Sequence, residues 1–209
     1  MPCAHGDILI GSDGTVWQTI ILLFGRQKWL LVVITAGVWY TQLDRSGFER
    51  TKGMKLVAVK PQDRELLWNI NQKYLYEMTN FYDDEMDTLG NLNYGYFDAY
   101  FTDPKRKAFF LFDEKQVLVG FAMIHPYSNL NEKPDYVLAE FTVFPVYRRK
   151  HLAEKAAEMI FERFEGCWEI KYNEKNIAAK TLWNKATEQY FPKVTRLNDT
   201  ETVLSFCTT

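Results

Sequence analysis

From residue 55 onward, apolar positions recur in two rhythms, one of period two and one near 3.6, and the switches between them mark out the elements. Lys55-Leu-Val-Ala-Val59 reads as a first strand that Pro61 ends, and Leu66, Leu67, Ile70 and Tyr74 then support a helix. Ala108–Phe112 and Gln116–His125 predict two strands joined by the turn Asp113-Glu-Lys115. In the next strand Val137, Ala139, Phe141 and Val143 alternate with Tyr136, Leu138, Glu140 and Thr142, which gives one face for a core and one that carries polar groups. Pro145 stops that ladder, having no N–H to donate. Ala153, Ala156, Ala157, Ile160 and Phe164 then return at helical spacing, with Gly166 as the stop. Cys167–Lys171 predicts a short strand, and Ala179, Leu182, Trp183, Ala186 and Tyr190 a last helix. Lys193–Leu197 and Thr202–Phe206 flank Asn198-Asp-Thr200 as a final hairpin.

The stretch Arg148-Arg-Lys-His-Leu-Ala153 therefore joins a strand to a helix N-terminus. Unpaired N–H groups and the positive end of the helix dipole favour an anion there, and Arg148, Arg149 and Lys150 add charge, so a pyrophosphate fits. Asn176 precedes the last helix, where an Asn acts as an N-cap without any ligand.

Two motifs in this order resemble the GCN5-related N-acetyltransferase (GNAT) family over about three quarters of the chain. Phe141-Thr-Val-Phe-Pro145 followed by Arg148–Ala153 is similar to the family's strand and coenzyme A loop, and Asn176-Ile-Ala-Ala-Lys-Thr-Leu-Trp183 is similar to its Asn-x-x-Ala-x-x-aromatic element. The chain departs from the pattern twice. His151 stands where the family usually has glycine, in a backbone expected to be helical, and Trp183 stands where many members hold a tyrosine near the leaving thiolate. Indole has no acidic proton to give, so Tyr190, on the same helical face, or Tyr172 is the expected stand-in.

The resemblance implies an α+β fold of α/β/α type, with a mixed, mostly antiparallel sheet of about seven strands, two of them splayed, and about four helices. It implies acetyl-CoA as cosubstrate, bound by Phe141, Thr142, Val143, Arg148, Arg149, Lys150, His151, Leu152, Ala153 and Asn176, with the Val143 N–H facing the thioester oxygen. The implied chemistry is direct attack by a primary amine, with Tyr190 as acid. Glu140, on the polar face of the motif strand, is the expected base, and His125 is a second candidate.

The segment from Tyr82 to Asp87 sets Asp83, Asp84 and Glu85 among aromatic residues, which favours a small cationic amine such as a polyamine or an amino sugar. Composition changes the picture little. A chain of 209 residues, 47% hydrophobic and 25% charged with net charge −2, suits one globular domain plus an extension and gives nucleic acid no basic surface. Cys3, Cys167 and Cys207 lack metal spacing and read as reduced thiols, which together with the absence of a signal pattern points to the cytoplasm. The resemblance admits a homodimer.

Residues 1–53 precede a self-sufficient domain at 54–209. They carry the apolar runs Thr19–Phe24 and Trp29–Tyr40, interrupted by Arg26, Gln27 and Lys28. The second run falls short of the roughly 20 residues that span a bilayer as a helix. The readings, in order of preference, are a stretch upstream of an initiating Met54, an appended hairpin, and a membrane anchor. Three functional classes follow: an acetyltransferase for small amines, a coenzyme A-binding sensor that has lost turnover, and a membrane-associated structural protein.

Overall fold

The computed structural model describes residues 5–10, 16–24, 27–32 and 53–208. The chain divides into two units, 1–50 and 51–209. In the first, β1 (His5–Ile10), β2 (Val16–Phe24) and β3 (Gln27–Val32) form a three-stranded antiparallel meander. Both apolar runs noted above contribute strands to it, and positions 33–40 and Cys3 lie outside the described residues.

The second unit is built on a seven-stranded mixed sheet. Its strands are β4 (Lys55–Ala58), β5 (Lys107–Phe112), β6 (Leu118–His125), β7 (Tyr136–Val143), β8 (Cys167–Asn173), β9 (Lys193–Arg196) and β10 (Glu201–Cys207), in spatial order β4-β5-β6-β7-β8-β10-β9. The helices are α1 (Arg64–Met78), α2 (Ala99–Thr102), α3 (Leu152–Arg163) and α4 (Ile177–Thr187). This is the α+β architecture expected, with element ends within a few residues of those read from periodicity.

The two faces of the sheet are covered separately. Leu67 and Ile70 of α1 pack with Phe97, Tyr100, Phe110, Phe121 and Met123 on one face. Ala157, Ile160 and Phe161 of α3 and Trp183 of α4 pack with Leu138, Trp168, Ile170 and Leu204 on the other. Burying such side chains contributes roughly 1.5–3 kcal/mol apiece, which is why the 3.6-residue stripes hold as helices.

Every adjacent strand pair in this sheet is antiparallel except β7 and β8, and that exception creates the site. The parallel pairing lasts for three residues, Tyr136↔Trp168, Val137↔Glu169 and Leu138↔Ile170. Beyond them β7 continues to Val143 and β8 to Asn173 without pairing to each other, so the sheet opens.

The strict alternation expected for β7 is corrected by a bulge. Met123 pairs with Glu140 but Ile124 pairs with Leu138, leaving Ala139 as an extra residue. Tyr136 and Leu138 thus share the α3/α4 face with Phe141, while Glu140 turns to the α1/α2 face.

The thiols are corrected as well. Cys167 opens β8 and Cys207 closes β10, directly opposite in the antiparallel register, and the two form a disulfide. Their separation of 40 residues hides this in the sequence, and the thiol argument for a cytoplasmic setting falls away. Among the described residues no helix is long and apolar enough to cross a membrane.

Candidate active site

The open gap places backbone groups first. Phe144 N–H donates to the Val119 carbonyl at 2.8 Å, in register with the pair Val143↔Gly120. Antiparallel pairs alternate between bonded and non-bonded, so Thr142 bonds to β6 whereas Phe141 and Val143 point their N–H and C=O groups away from it. Away from β6 lies the gap where β8 no longer pairs. The Val143 carbonyl accepts Arg148 Nε at 2.8 Å, and the Val143 N–H faces the opening. Gly120 makes the close approach of β6 workable: a Cβ there would lie 2.0 Å from the Thr142 carbonyl oxygen. A lone glycine inside an apolar strand was the sequence signal for this contact.

Beyond β7, Arg149 (φ 61°) and His151 (φ 55°) both adopt left-handed backbone, and His151 is the N-cap of α3. The helical backbone expected at His151 is therefore corrected; the position has the conformation that glycine adopts freely and that His tolerates better than most residues. Its side chain is 82% exposed and lies 3.4 Å from Glu154. Lys155 N–H donates to the His151 carbonyl, which leaves the amides of Leu152, Ala153 and Glu154 at the helix start without intrahelical acceptors. A groove of mixed charge, lined by Lys115, Lys150, His151 and Lys155 and by Asp113, Glu114, Glu154 and Glu158, runs beside them.

Arg148 departs from its expected role as a mobile phosphate ligand. Its guanidinium donates to both carboxylate oxygens of Glu77 at 2.5 and 2.7 Å, besides its bond to Val143. It fastens the end of α1 to the end of β7, so Arg149 and Lys150 are the cations of the loop. Asn176 caps α4, accepting the Ala179 N–H at 3.0 Å through Oδ1. Its Nδ2 makes no hydrogen bond among the described residues and stays available as a donor.

Glu140 sits on the α1/α2 face with the phenols of Tyr74 and Tyr94 donating toward its carboxylate. Burial pushes its pKa up to about 7 against the pull of those donors and of Lys171. Burial and the Glu140 charge likewise raise Tyr74 and Tyr94 well above the ordinary phenol range, so both remain protonated donors. Neither tyrosine carries a sequence signature of this role beyond being aromatic. At the end of β6, burial and Arg106 lower His125 to about 4, and its Nδ1 accepts the Tyr127 N–H, which removes it as a base that gains and loses a proton near neutrality.

Tyr190 does not reach the gap. Its ring stacks on Phe206 at 5.4 Å and meets Phe161 edge-on, and Phe206 pairs with Trp168 at the closed end of the splay. The helix α4 starts at the open end and carries Tyr190 away from it. Trp183 packs edge-on against Phe141 at 5.0 Å. Tyr172 lies just beyond the last paired residue of β8, buried in the α3/α4 core.

The acidic run beside Tyr82 is exposed, and Asp87 is spent on its own turn, accepting the Leu89 and Asn91 N–H groups at 2.8 Å. No group of three or more acidic, His or Cys side chains suited to a metal occurs among the described residues.

Taken together, a helix start with unpaired amides, the loop cations Arg149 and Lys150 and a strand whose backbone lines a gap fit a long phosphorylated thioester such as acetyl-CoA. A family model described as acetyltransferase (GNAT) family matches residues 67–192. Among solved structures, an acetyltransferase from Thermus thermophilus superposes with a TM-score of 0.54 at 18% identity, covering 74% of this chain and 96% of that one. FdhC, a nucleotide-linked sugar GNAT, gives 0.53 at 12% identity over 75% of this chain and 87% of its own. Spermidine N-acetyltransferase from Vibrio cholerae, in complex with CoA and spermine, gives 0.51 at 13% identity over 74% and 95%. At these identities the likenesses speak for the fold. No curated protein matches the sequence at a significant level.

Proposed function

Because the chain belongs to the GNAT acetyltransferase family, we propose that it transfers an acetyl group from acetyl-CoA to a primary amine of a small molecule, with Glu140 as general base. The observation that carries this reading is the pairing, on one strand, of a carboxylate with a pKa near 7 and an N–H that faces the gap.

Acetyl-CoA supplies an activated acyl group with a thiol leaving group. In this reading the α3 N-terminus, Arg149 and Lys150 bind its pyrophosphate. The gap-facing groups of Phe141 and Val143 and the Asn176 amide line the pantetheine arm. The Val143 N–H donates to the acyl oxygen, a contribution on the order of 3 kcal/mol where charge develops. Glu140 accepts the proton of the attacking nitrogen through a bridging water, since three residues of strand separate it from Val143 by about 10 Å. With a thiol pKa of about 8.5 the leaving group needs little help near neutrality, so no side chain is assigned as acid.

Calorimetry with acetyl-CoA, followed by thiol release with a panel of primary amines, tests the proposal. Micromolar binding with amine-dependent thiol release is the expected result. Folded protein that does not bind acetyl-CoA overturns it, and binding without release for any amine leaves only a coenzyme A-binding role.

A further inference from the structure

The charges around the Glu140 pocket are already matched. Glu77, next to Tyr74, is held by Arg148 at 2.5 and 2.7 Å. Glu201, next to Tyr82, is held by Lys171 at 2.7 Å and accepts the Asn198 amide at 2.9 Å. Among the described residues, Glu140 is thus the one carboxylate of this pocket without a cationic side chain bonded to it. The groups nearest it are the uncharged phenols of Tyr74 and Tyr94, and the one cation that acts on it, Lys171, is bonded to Glu201.

Behind Tyr94 stands a further group with an unused hydroxyl. Tyr100 is 8% exposed and its hydroxyl makes no hydrogen bond among the described residues, although Tyr94, Glu140 and the Arg106 guanidinium, 5.2 Å from its ring, all lie near it. On α1, Asn71 is fully buried with neither amide atom partnered, one helical turn before Tyr74 on the same face. Buried polar groups without partners are costly, and a ligand that bonds them recovers that cost. The other deeply buried carboxylate, Glu169, has both oxygens taken by Ser128 and Asn129, which leaves a polycation no second free carboxylate at this depth among the described residues. The exposed Asp83, Asp84 and Glu85 lie in solvent, where screening leaves such attractions weak.

Resting on the acetyltransferase reading above, we propose that the acceptor is a primary monoamine on an otherwise uncharged body bearing hydroxyl groups. Its amine meets Glu140, and its hydroxyl meets the unpartnered Tyr100 hydroxyl. Polyamines, with several positive charges, are then poor acceptors.

Thiol release and calorimetric affinity measured at low ionic strength on the full chain, with tyramine, phenethylamine, glucosamine and spermidine, test this. The hydroxylated monoamines are expected to exceed spermidine at least tenfold in kcat/KM. In Tyr100→Phe the preference for tyramine over phenethylamine should fall by about threefold to tenfold, the worth of one hydrogen bond. Spermidine turning over as well as or better than the monoamines overturns the proposal, as does a tyramine preference that Tyr100→Phe leaves intact. No release with any amine would instead overturn the acetyltransferase reading on which it rests.

Discussion

Glu140 is the residue whose environment most constrains the chemistry. Its folded pKa of about 7 lies above the 4.5 of an unperturbed Glu, so the native state holds a proton that the unfolded chain has lost between those values. Below about pH 4.5 the group therefore costs no stability, and the cost grows to its full size as pH rises through 7. Glu140→Gln should leave the melting temperature unchanged near pH 4.5 and raise it at pH 8, while kcat/KM falls by about 10²–10⁴. In the native enzyme kcat/KM should drop below pH 7 as Glu140 protonates; a flat profile from about pH 5.5 to 8 would remove the base assignment. His151 supplies the second residue-scale test. Left-handed backbone costs a non-glycine residue about 1–2 kcal/mol, and glycine returns about 0.5–1 of that through unfolded-chain entropy. His151→Gly should then stabilise the protein by about 0.5–1 kcal/mol in urea unfolding and tighten acetyl-CoA binding. The identity of both residues was legible in the sequence. What they do depends on φ at one and on enclosure at the other, and neither is written in residue type.

Elements position the site through two contacts that join distant parts of the chain. Arg148 ties β7 to α1 through Glu77, 71 residues away, with both side chains about a third or more exposed. Solvent limits such a pair to about 1 kcal/mol. In a double-mutant cycle, Arg148→Ala and Glu77→Gln should each cost about that much and together cost less than their sum. The acetyl-CoA affinity of Arg149→Ala should fall more than that of Glu77→Gln, since Arg149 carries free charge. Gly120 is the second contact, and here the steric conflict is with backbone: Gly120→Ala sets a Cβ against the Thr142 carbonyl. Overpacking of this kind costs about 1–3 kcal/mol, and because Thr142 precedes Val143 the variant should lose acetyl-CoA affinity along with its melting temperature. Periodicity predicted every strand and the three longer helices of the catalytic unit. It missed the bulge at Ala139, because one inserted residue flips the faces of everything after it while leaving the local pattern apolar. The Tyr190 expectation failed for a related reason: helical spacing fixes which face a residue shares, whereas the distance of that residue from the gap follows from the direction in which α4 runs.

At the scale of the whole molecule, strand order makes the site, since the gap exists because β7 and β8 run parallel and part after Leu138. Strand order was legible only through the two family motifs, and the pairing of Cys167 with Cys207 was not legible at all, since it needs β10 to return beside β8. Three hydrophobic clusters hold the second unit together. Met54 itself is 6% exposed, packed with Leu111, Val119, Val143 and Ala156 behind the gap. A chain beginning at Met54 thus retains the side chains of these clusters that support Val143 and the start of α3, and we propose that residues 54–209 suffice for the acetyltransferase. Such a truncated chain should match the full chain in acetyl-CoA affinity and in kcat/KM within about twofold. Removing Met54 as well should destabilise the unit by about 2–4 kcal/mol, the range for emptying a buried methionine site, and weaken acetyl-CoA binding through the loss of support at Val143. If the chain from Met54 folds but binds acetyl-CoA about ten times more weakly than the full chain, residues 1–53 contribute to the site and the boundary is wrong.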